Sequence, residues 1–304
     1  MLEKILNIDC RSPLVSIIIN CFNGREYLAE SLRSVLDQTY TSWEVIFWDN
    51  RSTDKSREIL EGFHEPRFKY YLASEHTPLG EARRLAIDCA TGDWLAFLDC
   101  DDIWLPDKLE KQILVIEKND KNLGLIYCQA NPLVEAEGLK TSWGSAALKH
   151  DRSGKINVLP SGNIFPAMLM GNYVPLVSAM VNRAAYYDVG GINMGLKQAE
   201  DYELFVKIAK NYYCIAINEV LCLFRIHSNN WTHQQSEKSY TEAILVVSNF
   251  LPAAEAKKAL AIWRANYAGF LFKNGRSVDA LLELVKSGNY LFFFRKVIQK
   301  LFRN

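Results

Sequence analysis

Residues 94–102 read WLAFLDCDD, and this stretch limits the fold more than any other. It opens as a continuous apolar run and closes with three acids in four residues. A buried strand of a parallel sheet reads as such a run. Ligands of open α/β sheets gather just beyond the carboxyl ends of those strands. In extended backbone, residues i and i+2 point the same way, so Asp99 and Asp101 can face one site with Asp102 close behind. Two adjacent carboxylates repel unless a cation lies between them. Mg²⁺ or Mn²⁺ meets that need, with one or two carboxylates holding the ion while substrate phosphates complete its shell. A plainer reading stays open at this point: an acidic loop that caps the next helix, whose start Pro106 marks.

Strand and helix alternate around this stretch. Residues 14–20 (LVSIIIN) form a β-branched run that reads as a first strand, followed by a turn at Cys21-Phe22-Asn23-Gly24. Residues 25–38 carry Tyr27, Leu28, Leu32, Val35 and Leu36 at helical spacing. Residues 43–49 (WEVIFWD) read as a second buried strand ending in Asp49, and an N-capped helix then runs to Leu60. Residues 68–72 read as a third strand, and 78–90 as a helix carrying Arg83 and Arg84. The alternation predicts a parallel α/β sheet with nucleotide-sized ligands at its carboxyl edge.

Further along, 106–119 reads as a helix and 124–129 as a strand. From 131 to about 162 the pattern dissolves into Gly, Ser and Lys around a lone Trp143, as in a long loop or hairpin near a site. Gly190-Gly191 reads as a tight turn. A helix then opens near Gln198, with Tyr202, Phe205, Val206 and Ala209 on one face. Residues 214–217 and 220–226 look like two strands, and beyond Trp231 the chain turns helical at 239–250, 252–274 and 277–286.

Composition narrows the functional classes. The 304 residues are 49% hydrophobic and 23% charged, a globular balance that can bury a sizeable core. A formal net charge of zero gives no reason to expect nucleic acid. No apolar run reaches the roughly 18 residues a bilayer span needs. The first 13 residues carry acids and lack the long apolar core of a secretory signal. The seven cysteines form no CxxC pair; Cys89, Cys128, Cys214 and Cys222 sit among apolar neighbours and read as small core residues in a reducing compartment. GxGxxG and GxxxxGK[ST] are absent after the first strand, against a dinucleotide dehydrogenase or a P-loop enzyme.

Five pieces follow one another in the chain: VSIIINCFNGREYLAESLRSVLDQTY, WEVIFWDNRSTDKS, GEARRLAIDCATGDWLAFLDCDD, a GG pair followed by EDYELFVKIA, and FRIHSNN. On these pieces, residues 13–235 resemble the family 2 glycosyltransferases. The resemblance implies the GT-A fold, an α/β architecture with a mostly parallel central sheet flanked by helices. It implies a nucleotide-binding half over 13–105 and an acceptor half over 106–235, with 236–304 as a C-terminal helical extension. By the same resemblance, Cys21, Phe22 and Asn23 wall the nucleobase. Asp49 accepts from uracil N3–H, as an acceptor-only carboxylate can. Arg83 approaches the base or the diphosphate, which its forked guanidinium suits; Arg84 has no expected role.

On the metal side, the resemblance has Asp99 leaning toward ribose and metal, with Cys100 beside it on the donor side. Asp101 ligates Mn²⁺ or Mg²⁺, and His227 completes the metal shell or contacts the diphosphate. Asp102 is a supporting or loop acid. Asp201 is the implied catalytic base, with Glu200 holding the acceptor or substituting for it. Structural readings stand beside these: Phe22 as a core aromatic, Asp49 and the Glu200-Asp201 pair as helix-capping acids, His227 as a satisfied structural histidine. Three positions depart from the family pattern. Asn20 stands where many relatives have Pro, Asn50 where a second Asp is common, and Arg51 where Gly is common, so a positive φ at 51 would be strained.

The implied activity is inverting transfer of a sugar from a nucleotide-sugar, with a UDP-sugar expected, to a hydroxyl of a glycan or lipid-linked acceptor in cell-envelope polysaccharide synthesis, such as lipopolysaccharide, O-antigen or capsule. The rivals are an inactive nucleotide-sugar-binding scaffold subunit and a nucleotidyltransferase; the latter would want a Gly-rich basic loop near the first strand, which CFNGREYLAE does not supply. In the tail, Leu291, Phe294, Val297, Ile298, Leu301 and Phe302 fall on one helical face, and from Lys286 onward there are five basic residues and no acid. Such a helix points either to an anionic membrane surface or to a terminal helix packed on its own domain. The expected location is cytoplasmic, with peripheral contact through residues 286–304 on the inner-membrane face.

Overall fold

A computed structural model of the chain describes residues 12–119, 121–135, 158–227 and 237–288. In chain order the elements are β1 (Val15–Cys21), α1 (Leu28–Leu36), β2 (Trp43–Asp49), α2 (Ser56–Glu61), β3 (Phe68–Leu72), α3 (Leu79–Asp88), β4 (Trp94–Phe97), β5 (Ile103–Trp104), α4 (Lys108–Glu117), β6 (Leu123–Val134), α5 (Phe165–Met170), β7 (Met180–Asn182), α6 (Arg183–Asp188), α7 (Glu200–Asn211), β8 (Tyr213–Ile226), α8 (Glu237–Ser248), α9 (Ala254–Lys273) and α10 (Ser277–Ser287). The strands form one sheet in the order β3-β2-β1-β4-β7-β6-β8-β5. β3, β2, β1 and β4 run parallel. β7 enters antiparallel to both β4 and β6, β8 runs parallel to β6, and β5 pairs antiparallel with β8 at the edge.

The continuous apolar runs form strands because both faces of the sheet are covered. Alternate residues serve opposite cores. Ile17, Ile19, Val45, Phe47, Trp94 and Ala96 pack with Leu28, Leu32 and Val35 of α1 and Leu109 and Ile113 of α4. Ile18, Ile46, Leu95 and Phe97 pack with Ala86 and Ile87 of α3, Met168 of α5, and Tyr202 and Phe205 of α7. A smaller core joins Tyr267, Ala268 and Leu271 of α9 to Ala280 and Leu284 of α10.

A buried carboxylate locks the N-terminal end of the parallel strands. Glu44 accepts from Ser16 Oγ at 2.6 Å, Lys69 Nζ at 2.5 Å, and the Thr91 N–H and hydroxyl at 2.7 and 2.8 Å. Ser16 Oγ in turn accepts from the Gly92 N–H at 2.8 Å. A Cβ at position 92 would lie 2.6 Å from the Leu14 carbonyl, so only glycine lets the turn into β4 pass this close to β1.

Several boundaries differ from the sequence reading. Cys21 is the last residue of β1 rather than part of the following turn. β6 continues past Gln129 to Val134, into what read as loop, because Asn131–Val134 pair with Leu223–Ile226 of β8. The two expected strands at 214–217 and 220–226 are one strand; Asn218 and Glu219 are skipped where the register passes from Cys128↔Ile217 to Gln129↔Val220. β5, β7 and α6 were not anticipated. Most of the Trp143 loop, the first 11 residues, and residues 228–236 and 289–304 lie outside the described residues.

Candidate active site

The parallel register brings Cys21 of β1 beside Asp49 of β2, and Ile18 beside Phe97 of β4. The segments that leave these strands therefore meet at one edge, as expected of an open α/β sheet. The loops after β1 and β2 are tied together. The Asn23 N–H donates to Ser52 Oγ at 3.0 Å, the Thr53 N–H to Asn23 Oδ1 at 2.8 Å, and the Arg25 N–H to Asp54 Oδ2 at 3.0 Å. Phe22 is 50% exposed at this rim, so it is not a core aromatic. Its ring lies 4.3 Å from that of His76, a partner that sequence reasoning missed because His76 sits in an unpatterned loop.

Asp49 is 2% exposed, with Oδ1 accepting from the Ser52 N–H at 2.6 Å and Oδ2 from the Tyr70 hydroxyl at 2.8 Å. Each carboxylate oxygen keeps a second lone pair for a further donor. Arg51 does adopt φ +71°, the left-handed conformation that Gly would take without strain. The turn is held by Asn50, which bonds the Thr77 backbone through Nδ2 at 2.8 Å and Oδ1 at 3.1 Å. Cys21 and Cys100 converge on the β1–α1 loop, since a Cβ at Gly24 would lie 2.9 Å from Cys21 Sγ and 2.7 Å from Cys100 Sγ.

The acidic loop is divided among different partners. Asp99 Oδ1 lies 3.5 Å from Arg83 Nη2, at the outer limit of a hydrogen bond. Asp101 Oδ2 lies 3.0 Å from His227 Nε2. Asp102 is buried and accepts from the Arg225 N–H at 2.8 Å, which makes it a structural acid. Its burial, with Asp101 and Asp99 nearby, pushes its carboxyl well above the usual range.

Arg225 organises this loop, and sequence reasoning gave it no role. Its Nε donates to the Asp101 carbonyl at 2.8 Å, Nη2 reaches Glu30 of α1 at 2.5 Å, and Nη1 pairs with Glu135. The guanidinium also lies 4.4 Å from the centre of the Tyr27 ring. An arginine at the end of the apolar run 220–226, two residues before a candidate ligand, was the available signal.

Glu200 and Asp201 open α7, facing the acidic loop through Arg83. Arg83 is buried and donates from Nη1 to Glu200 Oε1 at 2.8 Å, so one guanidinium joins Asp99 to Glu200. Glu200 Oε2 is buried with no protein partner among the described residues. Asp201 Oδ2 accepts from Asn172 Nδ2 at 3.3 Å, and Oδ1 from the Tyr202 N–H at 2.6 Å. Asn172, also missed, has its amide oriented by the Val174 N–H, which donates to Oδ1 at 3.2 Å. Desolvation, then the Glu200 charge, outweigh Arg83 and the Tyr202 N–H and push the Asp201 carboxyl up to about 7. That value suits a group that gains and loses a proton near neutrality. Arg84 donates to the Ile192 carbonyl at 3.3 Å, a packing contact.

Hard oxygen donors with one imidazole suit Mn²⁺ or Mg²⁺. Asp101 and His227 stand as such a pair. Among the described residues no three His, Cys, Asp or Glu side chains are gathered closely enough to hold a metal alone.

The fold is that of the GT-A glycosyltransferases. Residues 16–163, just under half of the chain, match the model of glycosyl transferase family 2, and this part of the chain belongs to that family. A Bacillus subtilis glycosyltransferase named for teichuronic acid biosynthesis is 42% identical over 103 residues, 33% of this chain and 41% of that protein. The Escherichia coli UDP-Glc:alpha-D-GlcNAc-diphosphoundecaprenol beta-1,3-glucosyltransferase WfgD is 39% identical over 114 residues, 38% of this chain and 44% of the relative. The matched stretches thus span about two fifths of these relatives.

Among solved structures, S. aureus TarS with UDP-GlcNAc superposes with a TM-score of 0.66 at 17% identity, covering 90% of this chain and 81% of that one. The Pyrobaculum calidifontis mannosyltransferase PcManGT with GDP-Man and Mn²⁺ gives 0.60 at 17% identity, covering 97% and 82%. At these identities the likeness shows the shared fold.

Proposed function

We propose that the chain transfers a sugar from a nucleotide diphosphate, a UDP-sugar first among candidates, to a hydroxyl of a glycan or lipid-linked acceptor. One observation carries the reading. Arg83 joins Asp99 of the acidic loop to Glu200, the neighbour of Asp201, so groups about 100 residues apart in sequence meet on one guanidinium. The related proteins reported above are named for teichuronic acid biosynthesis and for glucosyl transfer to a diphosphoundecaprenol-linked sugar. Cell-envelope polysaccharide synthesis at the cytoplasmic face of the membrane is the proposed setting. Among the described residues no helix is long and apolar enough to cross a membrane.

The base rests on the Phe22–His76 rim with Asp49 beneath, and the diphosphate lies toward Arg83 and the acidic loop. Asp101 and His227, with Asp99, would hold Mn²⁺ or Mg²⁺, which supplies Lewis-acid neutralisation of the leaving diphosphate when bound. Glu200 orients the acceptor hydroxyl through its unpartnered oxygen. Asp201 takes the hydroxyl proton as the new C–O bond forms and the bond to phosphate breaks, in one displacement with inversion. Asn172 keeps the accepting carboxylate aimed.

A thermal-shift panel of UDP, GDP and TDP, each with Mn²⁺ or EDTA, tests this. UDP with Mn²⁺ should stabilise most, by about 2.7 kcal/mol at roughly 100 times its dissociation constant. Equal stabilisation in EDTA would remove the metal from the reading. A larger effect of GDP or TDP would remove uridine, and no effect from any nucleotide would sink the transferase assignment.

A further inference from the structure

Glu242 lies on the wrong face of its helix for a carboxylate. In α8 it shares the buried side with Ala243, Val246 and Val247, where helical spacing calls for apolar residues. It is 7% exposed, and a carboxylate taken that far from water needs donors in place of the water it loses. Three consecutive backbone N–H groups supply them. Lys197 donates to Oε1 at 3.1 Å and to Oε2 at 3.0 Å, Gln198 to Oε2 at 2.8 Å, and Ala199 to Oε2 at 3.1 Å. Lys238 Nζ stands 3.9 Å from Oε1. Ser239 of the same helix donates from Oγ to Gln198 Oε1 at 2.6 Å.

The segment held this way is the one that opens α7. Ala199 stands at the N-cap and makes no side-chain capping bond, so the direction in which the chain enters the helix is set from outside. Glu200 and Asp201 follow at once. α3 packs closely on the same segment: a Cβ at Gly80 would lie 3.2 Å from Glu200 Cγ and 3.5 Å from the Leu196 carbonyl. Successive N–H groups closed on one carboxylate make charge-assisted bonds with little freedom. They fix the start of α7, from which Glu200 reaches Arg83 at 2.8 Å and Asp201 meets Asn172 at 3.3 Å. We infer that Glu242, supplied by the C-terminal helices, is a positioning residue for the proposed transfer, acting through residues 197–199 to hold Glu200 and Asp201 in place. The inference rests on the transferase reading given above.

The test compares the wild-type chain with Glu242→Ala on two readouts. Hydrogen exchange needs no activity: the amides of 197–203 should exchange about ten-fold faster in the variant, with those of β1 to β4 unchanged. Turnover of UDP-glucose and of UDP-N-acetylglucosamine, each with Mn²⁺, is the second. There kcat should fall roughly 10- to 100-fold, while the donor KM and the UDP-induced thermal shift stay at their wild-type values. Glu242→Gln keeps one acceptor oxygen but sets an amide N–H against the Lys197 N–H. It should fall between the two, with kcat about three-fold below the wild type, and it carries the comparison if the alanine variant does not fold. Faster exchange with kcat unchanged would make Glu242 a packing residue and overturn the inference. Loss of the UDP-induced shift along with kcat would overturn it too, since the whole site would then have loosened. A wild-type chain that consumes neither donor would instead overturn the transferase reading, and this inference with it.

Discussion

Asp201 and Asn172 are where the proposed chemistry is most exposed to test. With its carboxyl near 7, Asp201 is protonated and unable to accept a proton at lower pH, so turnover should fall as pH drops through about 7. Asn172 donates to the ionised form, and such a bond lowers a carboxyl's pKa. Asn172→Ala should therefore move the acidic limb of the rate profile upward, by about half a unit to one unit, with turnover reduced several-fold. Stopped assays of donor consumption between pH 5 and 9 would show it, and an unmoved limb would leave Asn172 a packing residue. Asp99 and Asp101 stood out in the sequence as carboxylates bunched after a strand, whereas Asp201 was singled out through the family resemblance alone, since acids at a helix start also serve as caps. Asn172, His76 and Arg225 were not. Their chemistry depends on which residues the fold places opposite them, as when Arg225 reaches Asp101, 124 positions away.

Among the elements, the parallel strands are held at their starts by Glu44 and at their finishes by the site. Burial alone would raise the Glu44 carboxyl, but hydrogen bonds from Lys69, Ser16 and Thr91 outweigh it and bring it to about 2 from its ordinary 4.5. A folded-state value below the unfolded one adds stability that is complete above about 4.5 and is lost as pH falls toward 2. Glu44→Gln should cost about 3 kcal/mol at pH 7, and urea melts of the two proteins should converge as pH is lowered. A pH-independent gap would assign the loss to packing. β1 to β4 were readable because strands covered on both faces are written as unbroken apolar runs. β8 was not, because Asn218-Glu219 looks like a turn. In the fold those two residues are a bulge, with Asn218 Oδ1 accepting from the Leu159 N–H at 2.6 Å and Glu219 paired with Lys111 at 2.5 Å. β5 and β7, at two and three residues, are too short to show a period.

At the scale of the whole molecule, the C-terminal helices are fastened to the α7 side of the sheet. Trp263 of α9 donates from Nε1 to the Leu169 carbonyl at 2.9 Å, and its ring lies 5.9 Å from that of Tyr202, the residue after Asp201. The Tyr202 hydroxyl donates to the same carbonyl at 3.0 Å. Trp263→Ala should cost about 3 kcal/mol, in line with other removals of large aromatics, and should also lower turnover. A calorimetric melt with one transition, displaced downward, would match a single cooperative unit; two separated transitions would mean that the helices are an independent appendage. The Arg225 contacts have a consequence for synthesis. Among the described residues β8 is the last strand in sequence, and its Arg225 ties the acidic loop to α1 and to the end of β6. As the chain leaves the ribosome, Arg83 and Ser31 are there to hold Asp99, but the bonds from Arg225 to Asp101 and Asp102 wait until β8 emerges. The second half of the acidic loop is thus fastened late, when nearly the whole sheet has been made.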